Sequence, residues 1–190
     1  MQYLQTPPGS GLARSMAEPY RTGPGSLDPS VAAIAIGSNL SSIFGAREQN
    51  LLVAIDRLRA LGTVRAISTF LETAPVGFVE QPHFLNGALL LETLLPPAEL
   101  LHALLAIEHS MGRTRQDVPT KGPRIIDLDL LFFAQGPYRD LVLSSPELTL
   151  PHPAIAGRLF VLTPLVEIAP AWTHPLTGKT VQLMLRHLQS

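Results

Sequence analysis

The order of apolar patterns constrains this chain's fold more than any other feature of its sequence. Val31-Ala32-Ala33-Ile34-Ala35-Ile36 is a short apolar run closed by Gly37-Ser38-Asn39, the pattern of a buried strand ending in a turn. Leu51, Ile55, Leu58 and Leu61 recur at spacings of three and four, which predicts a helix over 44–61, with Gly62 at the expected C-terminal cap. Thr63 to Thr73 reads as a second strand, broken by Pro75 and Gly77, and Phe84 to Thr93 as a third. The third is apolar on both faces, so it belongs in the middle of a sheet. Pro96-Pro97 opens a second helix whose inner stripe is Leu101, Leu104, Ile107 and Met111, and Gly112 ends it. A loop over 113–122 leads into a fourth strand carrying Asp127-Leu128-Asp129.

Strand, helix, strand, strand, helix, strand is the split βαβ pattern. The expected fold is α+β: a ferredoxin-like antiparallel sheet with helices on one face and the other face left free. Beyond this unit, 136–148 reads as an excursion with a strand around Leu141-Val142-Leu143. Pro151 to Gly157 reads as a loop, Arg158 to Ile168 as a third helix stopped by Pro170, and Thr180 to Leu188 as a last short helix. Residues 1–30 hold five Pro, four Gly and four Ser with little apolar periodicity, so they are expected to form a loosely ordered tail before a domain over 31–190. No apolar h-region follows Met1, and Met16 is an alternative start. The chain has no Cys, which excludes disulfides and thiolate metal sites. Its formal net charge of -1 carries no nucleic-acid footprint, and no apolar run approaches the ~20 residues that span a bilayer. A cytoplasmic protein is the simplest expectation, and a monomer, since no interface motif stands out.

The fourth strand carries the chemistry. Side chains alternate along a strand, so Ile126, Leu128, Leu130 and Phe132 should share one face, and Asp127 and Asp129 the other. Two neighbouring carboxylates repel, and strands are depleted in Asp. Either the pair lies on a solvated outer face or a cation belongs between them: Arg124, or a hard divalent ion such as Mg²⁺. Arg113, Arg115, Lys121 and Arg124 lie on the loop that feeds this strand. Guanidinium, ammonium and carboxylate groups at this density suit a polyanion held partly by metal, and triphosphate is the natural candidate. No P-loop and no kinase-type glycine loop is present. Phe84 and Asn86, two apart, share a strand face; they suit a flat heterocycle, or Phe84 is core and Asn86 satisfies backbone. His152, between Pro151 and Pro153, is held on a fixed loop and is either structural or functional.

With these pieces in order, the sequence resembles the hydroxymethyldihydropterin pyrophosphokinases of folate biosynthesis over roughly residues 31–185. The resemblance rests on Ala35-Ile36-Gly37-Ser38-Asn39-Leu40, Gln81-Pro82-His83-Phe84-Leu85-Asn86, Glu108 with Met111-Gly112-Arg113, Gly122-Pro123-Arg124-Ile125-Ile126-Asp127-Leu128-Asp129, and Leu150-Pro151-His152. It implies transfer of pyrophosphate from ATP to 6-hydroxymethyl-7,8-dihydropterin, giving AMP. It also implies that Asp127 and Asp129 ligate two Mg²⁺ ions, and that Arg113 and Arg124 bind phosphate as catalytic residues. Arg115, Lys121, Glu108, His152 and Arg158 fall at nucleotide-side positions. Asn86 is implied to hydrogen-bond the pterin, Phe84 and Phe160 to stack on it, and Thr73 and Val76 to complete its pocket. This chain has Phe84 where the family often has Tyr, Lys121 where some members have Trp, Pro153 where Tyr is known and Leu105 where Gln occurs. No fused dihydropteroate synthase segment is expected. Two rivals stand beside this reading: a nucleotidyltransferase with Asp-x-Asp on an antiparallel sheet, which releases pyrophosphate, and a non-catalytic ferredoxin-like binding module.

Overall fold

The structure, a computed structural model, describes residues 28–113, 122–136 and 139–190. The expected tail up to residue 27 and the loop positions Arg115 and Lys121 lie outside the described residues. The sheet is built around β1 (Ser30–Ser38), which pairs antiparallel with β4 (Phe84–Thr93) on one side and β5 (Asp127–Gln135) on the other. β2 (Thr63–Ile67) and β3 (Leu71–Thr73) both pair with β4, and the short β6 (Arg139–Asp140) pairs with the end of β5. The resulting order β2-β4-β1-β5-β6 contains the antiparallel ferredoxin-like arrangement. A small separate hairpin joins β7 (Leu143–Ser144) to β8 (Thr149–Leu150), so the strand expected around Leu141 starts later.

The continuous strand expected over Thr63–Thr73 is two strands, because the chain bends at Ser68–Phe70. α1 (Arg47–Arg59) buries Leu51, Ala54, Ile55 and Leu58, and α2 (Pro97–Ser110) buries Leu100, Leu104 and Ile107. Leu100 takes the place expected of Leu101, which is half-buried. These side chains pack against Ile34, Ile36, Leu89, Leu91, Leu128 and Leu130 of the sheet. Gly62 does not cap α1 through a left-handed conformation. It lies so close to β4 that a Cβ there stands 2.1 Å from the Glu92 carbonyl oxygen.

The second face of the sheet is only partly free, which corrects the expectation for it. α3 (Leu159–Ile168) and α4 (Val181–Gln189) cover its far half, packing Val161, Leu162, Leu165, Val181 and Met184 on Ala33, Ala88, Leu131 and Phe132. A register shift between Ala33 and Ile34 inserts one residue into β5, so alternation holds only as far as Leu130. Phe132 therefore joins Leu131 under α3 and α4 instead of sharing a face with Leu128 and Leu130. Asp127 and Asp129 stand on the near half of this face. No helix among the described residues is long and apolar enough to cross a membrane.

Candidate active site

Three strands bring Asn86, Gly37 and Asp127 into one row: Gly37 on β1 is paired with Asn86 of β4 and with Asp127 of β5. Directly opposed residues share a face, so these two side chains converge over Gly37. Its missing Cβ matters here, because an added one stands 2.7 Å from Asn86 Oδ1. Asn86 Nδ2 donates to Thr73 Oγ1 at 2.7 Å, which fixes the amide's orientation. Gly37→Ala is expected to displace this amide and cost about 1–3 kcal/mol of stability, as overpacking does. Thermal unfolding checks it, and an unchanged Tm contradicts the close approach.

Asp127 is held by two guanidinium groups. Arg113 Nη1 donates to Asp127 Oδ1 at 2.5 Å, and Arg124 Nη2 pairs with Asp127 Oδ2 at 2.9 Å. Arg113 also pairs with Glu108 of α2 and donates to the Ile126 carbonyl at 3.3 Å. Glu108 is buried and accepts the Leu128 N–H at 2.8 Å. Arg113 thus ties a carboxylate of α2 to one on β5. Burial alone lowers the Arg113 pKa, but the Asp127 and Glu108 carboxylates outweigh it and hold the guanidinium charged.

Asp129 pairs with Arg158 Nη1 at 3.2 Å. Burial, followed by the Asp127 charge, pushes the Asp129 carboxyl above its ordinary range, against the pull of His152, Arg158 and Arg124. The two aspartates therefore lie close enough for the charge of Asp127 to oppose ionisation of Asp129. His152 accepts the Ala154 N–H on Nδ1 at 3.1 Å, so the neutral ring carries its proton on Nε2. Burial lowers its pKa despite Asp129 nearby, and the Arg158 charge acts in the same direction.

Beside the aspartates lies a cleft of about 620 Å³ whose lining includes Thr73, Val76, Phe84, Asn86, Arg124, Asp127, Arg158 and Phe160. All five residues expected at the heterocycle face this one cleft. Arg124 lies 5.0 Å from the centre of the Phe84 ring, and Arg158 lies 5.8 Å from that of Phe160. The buried Arg124 Nε has no hydrogen-bond partner among the described residues. Glu108, Arg113 and His152 are not in the lining of this cleft: Arg113 holds Asp127, Glu108 holds Arg113, and the His152 charge acts on Asp129.

Asn39 is a joint that sequence reasoning misses. It is buried, its Nδ2 donates to Gln81 Oε1 at 2.9 Å and to the Pro82 carbonyl at 3.0 Å, and its Oδ1 accepts the Arg124 N–H at 2.7 Å. One amide thereby joins the approach to β4 with the approach to β5. Its signals in the sequence are its place in the Gly37-Ser38-Asn39 turn and in the Ala35–Leu40 block of the family resemblance.

The sequence profile of the 7,8-dihydro-6-hydroxymethylpterin-pyrophosphokinase (HPPK) family matches residues 33–170. The chain belongs to this family. The HPPK of Synechocystis, a 2-amino-4-hydroxy-6-hydroxymethyldihydropteridine pyrophosphokinase, is 40% identical over 79% of this chain and 72% of its own. The Bacillus subtilis HPPK of the same name is 42% identical over 73% of this chain and 77% of its own. Against the folic acid synthesis protein fol1 of Schizosaccharomyces pombe, identity is 36% over 84% of this chain, which spans 21% of the length of that protein. Among solved structures, the Plasmodium falciparum HPPK-DHPS chain superposes with a TM-score of 0.60 at 15% identity, covering 83% of this chain and 43% of that one. That likeness carries the fold, and the profile match carries the family.

Proposed function

We propose that this HPPK-family chain transfers the pyrophosphoryl group of ATP to the hydroxymethyl oxygen of 6-hydroxymethyl-7,8-dihydropterin, releasing AMP, in folate biosynthesis. The observation that carries this reading is the junction, in one cleft, of an amide-and-aromatic slot with a carboxylate pair ringed by arginines. In the slot, Phe84 and Phe160 stack on the pterin, Asn86 reads its edge, and Thr73 and Val76 close it. Arg124, whose Nε has a donor to spare, and Arg113 bind phosphate. Arg158 and His152, together with Glu108, Arg115 and Lys121, serve the nucleotide side.

The donor set fits Mg²⁺. Among the described residues no group of three or more acidic or histidine side chains converges on one point, as a self-sufficient protein metal cage requires. Mg²⁺ is instead commonly bound by one or two carboxylates together with substrate phosphates, and Asp127 and Asp129 supply two hard oxygen donors on one face. These residues would hold two ions, which when bound neutralise phosphate charge and acidify the attacking alcohol.

The reaction forms a bond from the pterin hydroxymethyl oxygen to the β-phosphorus and breaks the bond from that phosphorus to the α–β bridging oxygen, which leaves on AMP. The chain's part is to align these atoms and spread the charge, as phosphoryl transfer demands. The hydroxyl proton leaves toward solvent or toward Asp129. On this reading the enzyme works as a cytoplasmic monomer.

Incubation with ATP, Mg²⁺ and 6-hydroxymethyl-7,8-dihydropterin tests the proposal. AMP and the pterin diphosphate are expected in equal amounts, with no release of free pyrophosphate. Chelation by EDTA should stop turnover and added Mg²⁺ restore it. Pyrophosphate in place of AMP indicates a nucleotidyltransferase, and folded protein that binds without turnover indicates a binding module.

A further inference from the structure

Phe160 and Arg158 reach the cleft from the N-terminal end of α3, which lies against β4 and β3. Besides its apolar packing on the sheet, the other end of that helix is hydrogen-bonded to the bend between β2 and β3 through one side chain. Glu167 accepts the Thr69 N–H at 2.8 Å and the Thr69 hydroxyl at 2.7 and 2.9 Å. Thr69 sits in the bend between β2 and β3, and that bend is itself stitched to β4. Ser68 N–H donates to the Ala88 carbonyl at 2.9 Å, and Ala88 N–H donates to the Ser68 hydroxyl at 2.9 Å. The Phe70 ring lies over Gly87, 2.9 Å from where a Cβ there stands. From this bend β3 delivers Thr73, four residues after Thr69, to its bond with Asn86. One carboxylate therefore links the helix that brings Phe160 to the strands that bring Thr73, Phe84 and Asn86.

We infer that Glu167 is a positioning residue of the pterin slot: its clasp on Thr69 sets the tilt of α3 and so the gap between Phe160 and Phe84. The inference rests on the reading of that slot given above. Phe160 and Glu167 are seven residues apart, about two turns, so they lie on the same side of α3. A carboxylate that takes two donors of one residue fixes angle as well as distance, and tilt is what the slot depends on. Glu167 and Thr69 are both exposed, so the clasp adds little to global stability and acts through geometry.

The test measures 6-hydroxymethylpterin binding by its fluorescence, in Mg²⁺ and a methylene-bridged, non-hydrolysable ATP analogue, and binding of that analogue alone by calorimetry. Glu167→Ala is expected to raise the pterin Kd about fivefold, the size of one lost hydrogen bond. The analogue's Kd should rise clearly less, because Arg158 rides on the same end of α3 but is one of several groups proposed to hold the nucleotide, and the melting temperature should not move. Glu167→Gln, whose amide oxygen still accepts from Thr69, should recover most of the pterin affinity. Unchanged pterin binding in Glu167→Ala, or equal losses for pterin and nucleotide, overturns the inference. A wild-type protein that binds the analogue but no pterin overturns the proposed function, and this inference with it.

Discussion

Asp129→Ala is expected to reduce turnover by at least about a thousandfold, roughly 4 kcal/mol of transition-state stabilisation, while the fold stays intact. Asp129 is one of the two carboxylates proposed to hold Mg²⁺, and Asp127 is already engaged by Arg113 and Arg124. Losing Asp129 halves the oxygen donors available to Mg²⁺ and leaves Arg158 without its carboxylate. Stability should not suffer. Burial and Asp127 hold the Asp129 carboxyl above its unfolded value, so its ionisation costs the metal-free protein stability as pH rises through its titration. The alanine variant carries no such cost, and its Tm at neutral pH should equal or exceed that of the wild type. Asp129→Asn, with the same shape and no charge, should be as inactive. Steady-state assay at saturating Mg²⁺ together with thermal unfolding decides it: turnover within threefold of wild type removes Asp129 from the proposed chemistry.

Arg113→Ala is expected to damage both function and fold. Its guanidinium serves Asp127 of β5 and the buried Glu108 of α2, and the Glu108 side chain is only 3% exposed. Removing one partner of a buried ion pair costs about 3–5 kcal/mol, on the order of 10 °C in Tm for a chain of this size. Activity should fall by about a hundredfold or more, as phosphate and Asp127 both lose a charged donor. The two effects can be separated. Adding Glu108→Gln to Arg113→Ala removes the buried charge and should restore much of the Tm, but none of the turnover. A single Arg113→Ala variant that melts with the wild type shows that the Glu108 pair contributes nothing to the fold.

The ferredoxin-like core was legible because its signals are local. Apolar spacing marked α1 and α2, the two-sided apolar run marked β4 as central, and Pro or Gly punctuated the joints. Errors fall where tertiary contacts override spacing. Leu100 faces inward in place of Leu101, since the sheet under α2 decides which of two adjacent leucines is covered. The Ser68–Phe70 bend is set by contacts with Ala88 and Gly87, seventeen or more residues later in the chain. Phe132 changes face through an inserted residue that leaves no mark on the apolar pattern. In the candidate site, charge on a strand singled out Asp127 and Asp129, whereas Phe84 and Asn86 fit core packing and backbone satisfaction as well as a ligand, and only the family resemblance gave them an expected place. Asn39 was not singled out, because an asparagine closing a turn looks the same whether it satisfies its own backbone or joins two distant segments.

The single residue inserted in β5 has a broader consequence for how such a protein can change over time. It divides one strand into a charged end, where Asp127 and Asp129 meet arginines, and a foundation end, where Leu131 and Phe132 anchor two helices. On the proposed reading, substitution of Asp127 or Asp129 lowers turnover while the apolar packing under α3 and α4 stays in place. Variants that rewrite chemistry and variants that erode folding should therefore map to opposite ends of the same nine-residue strand.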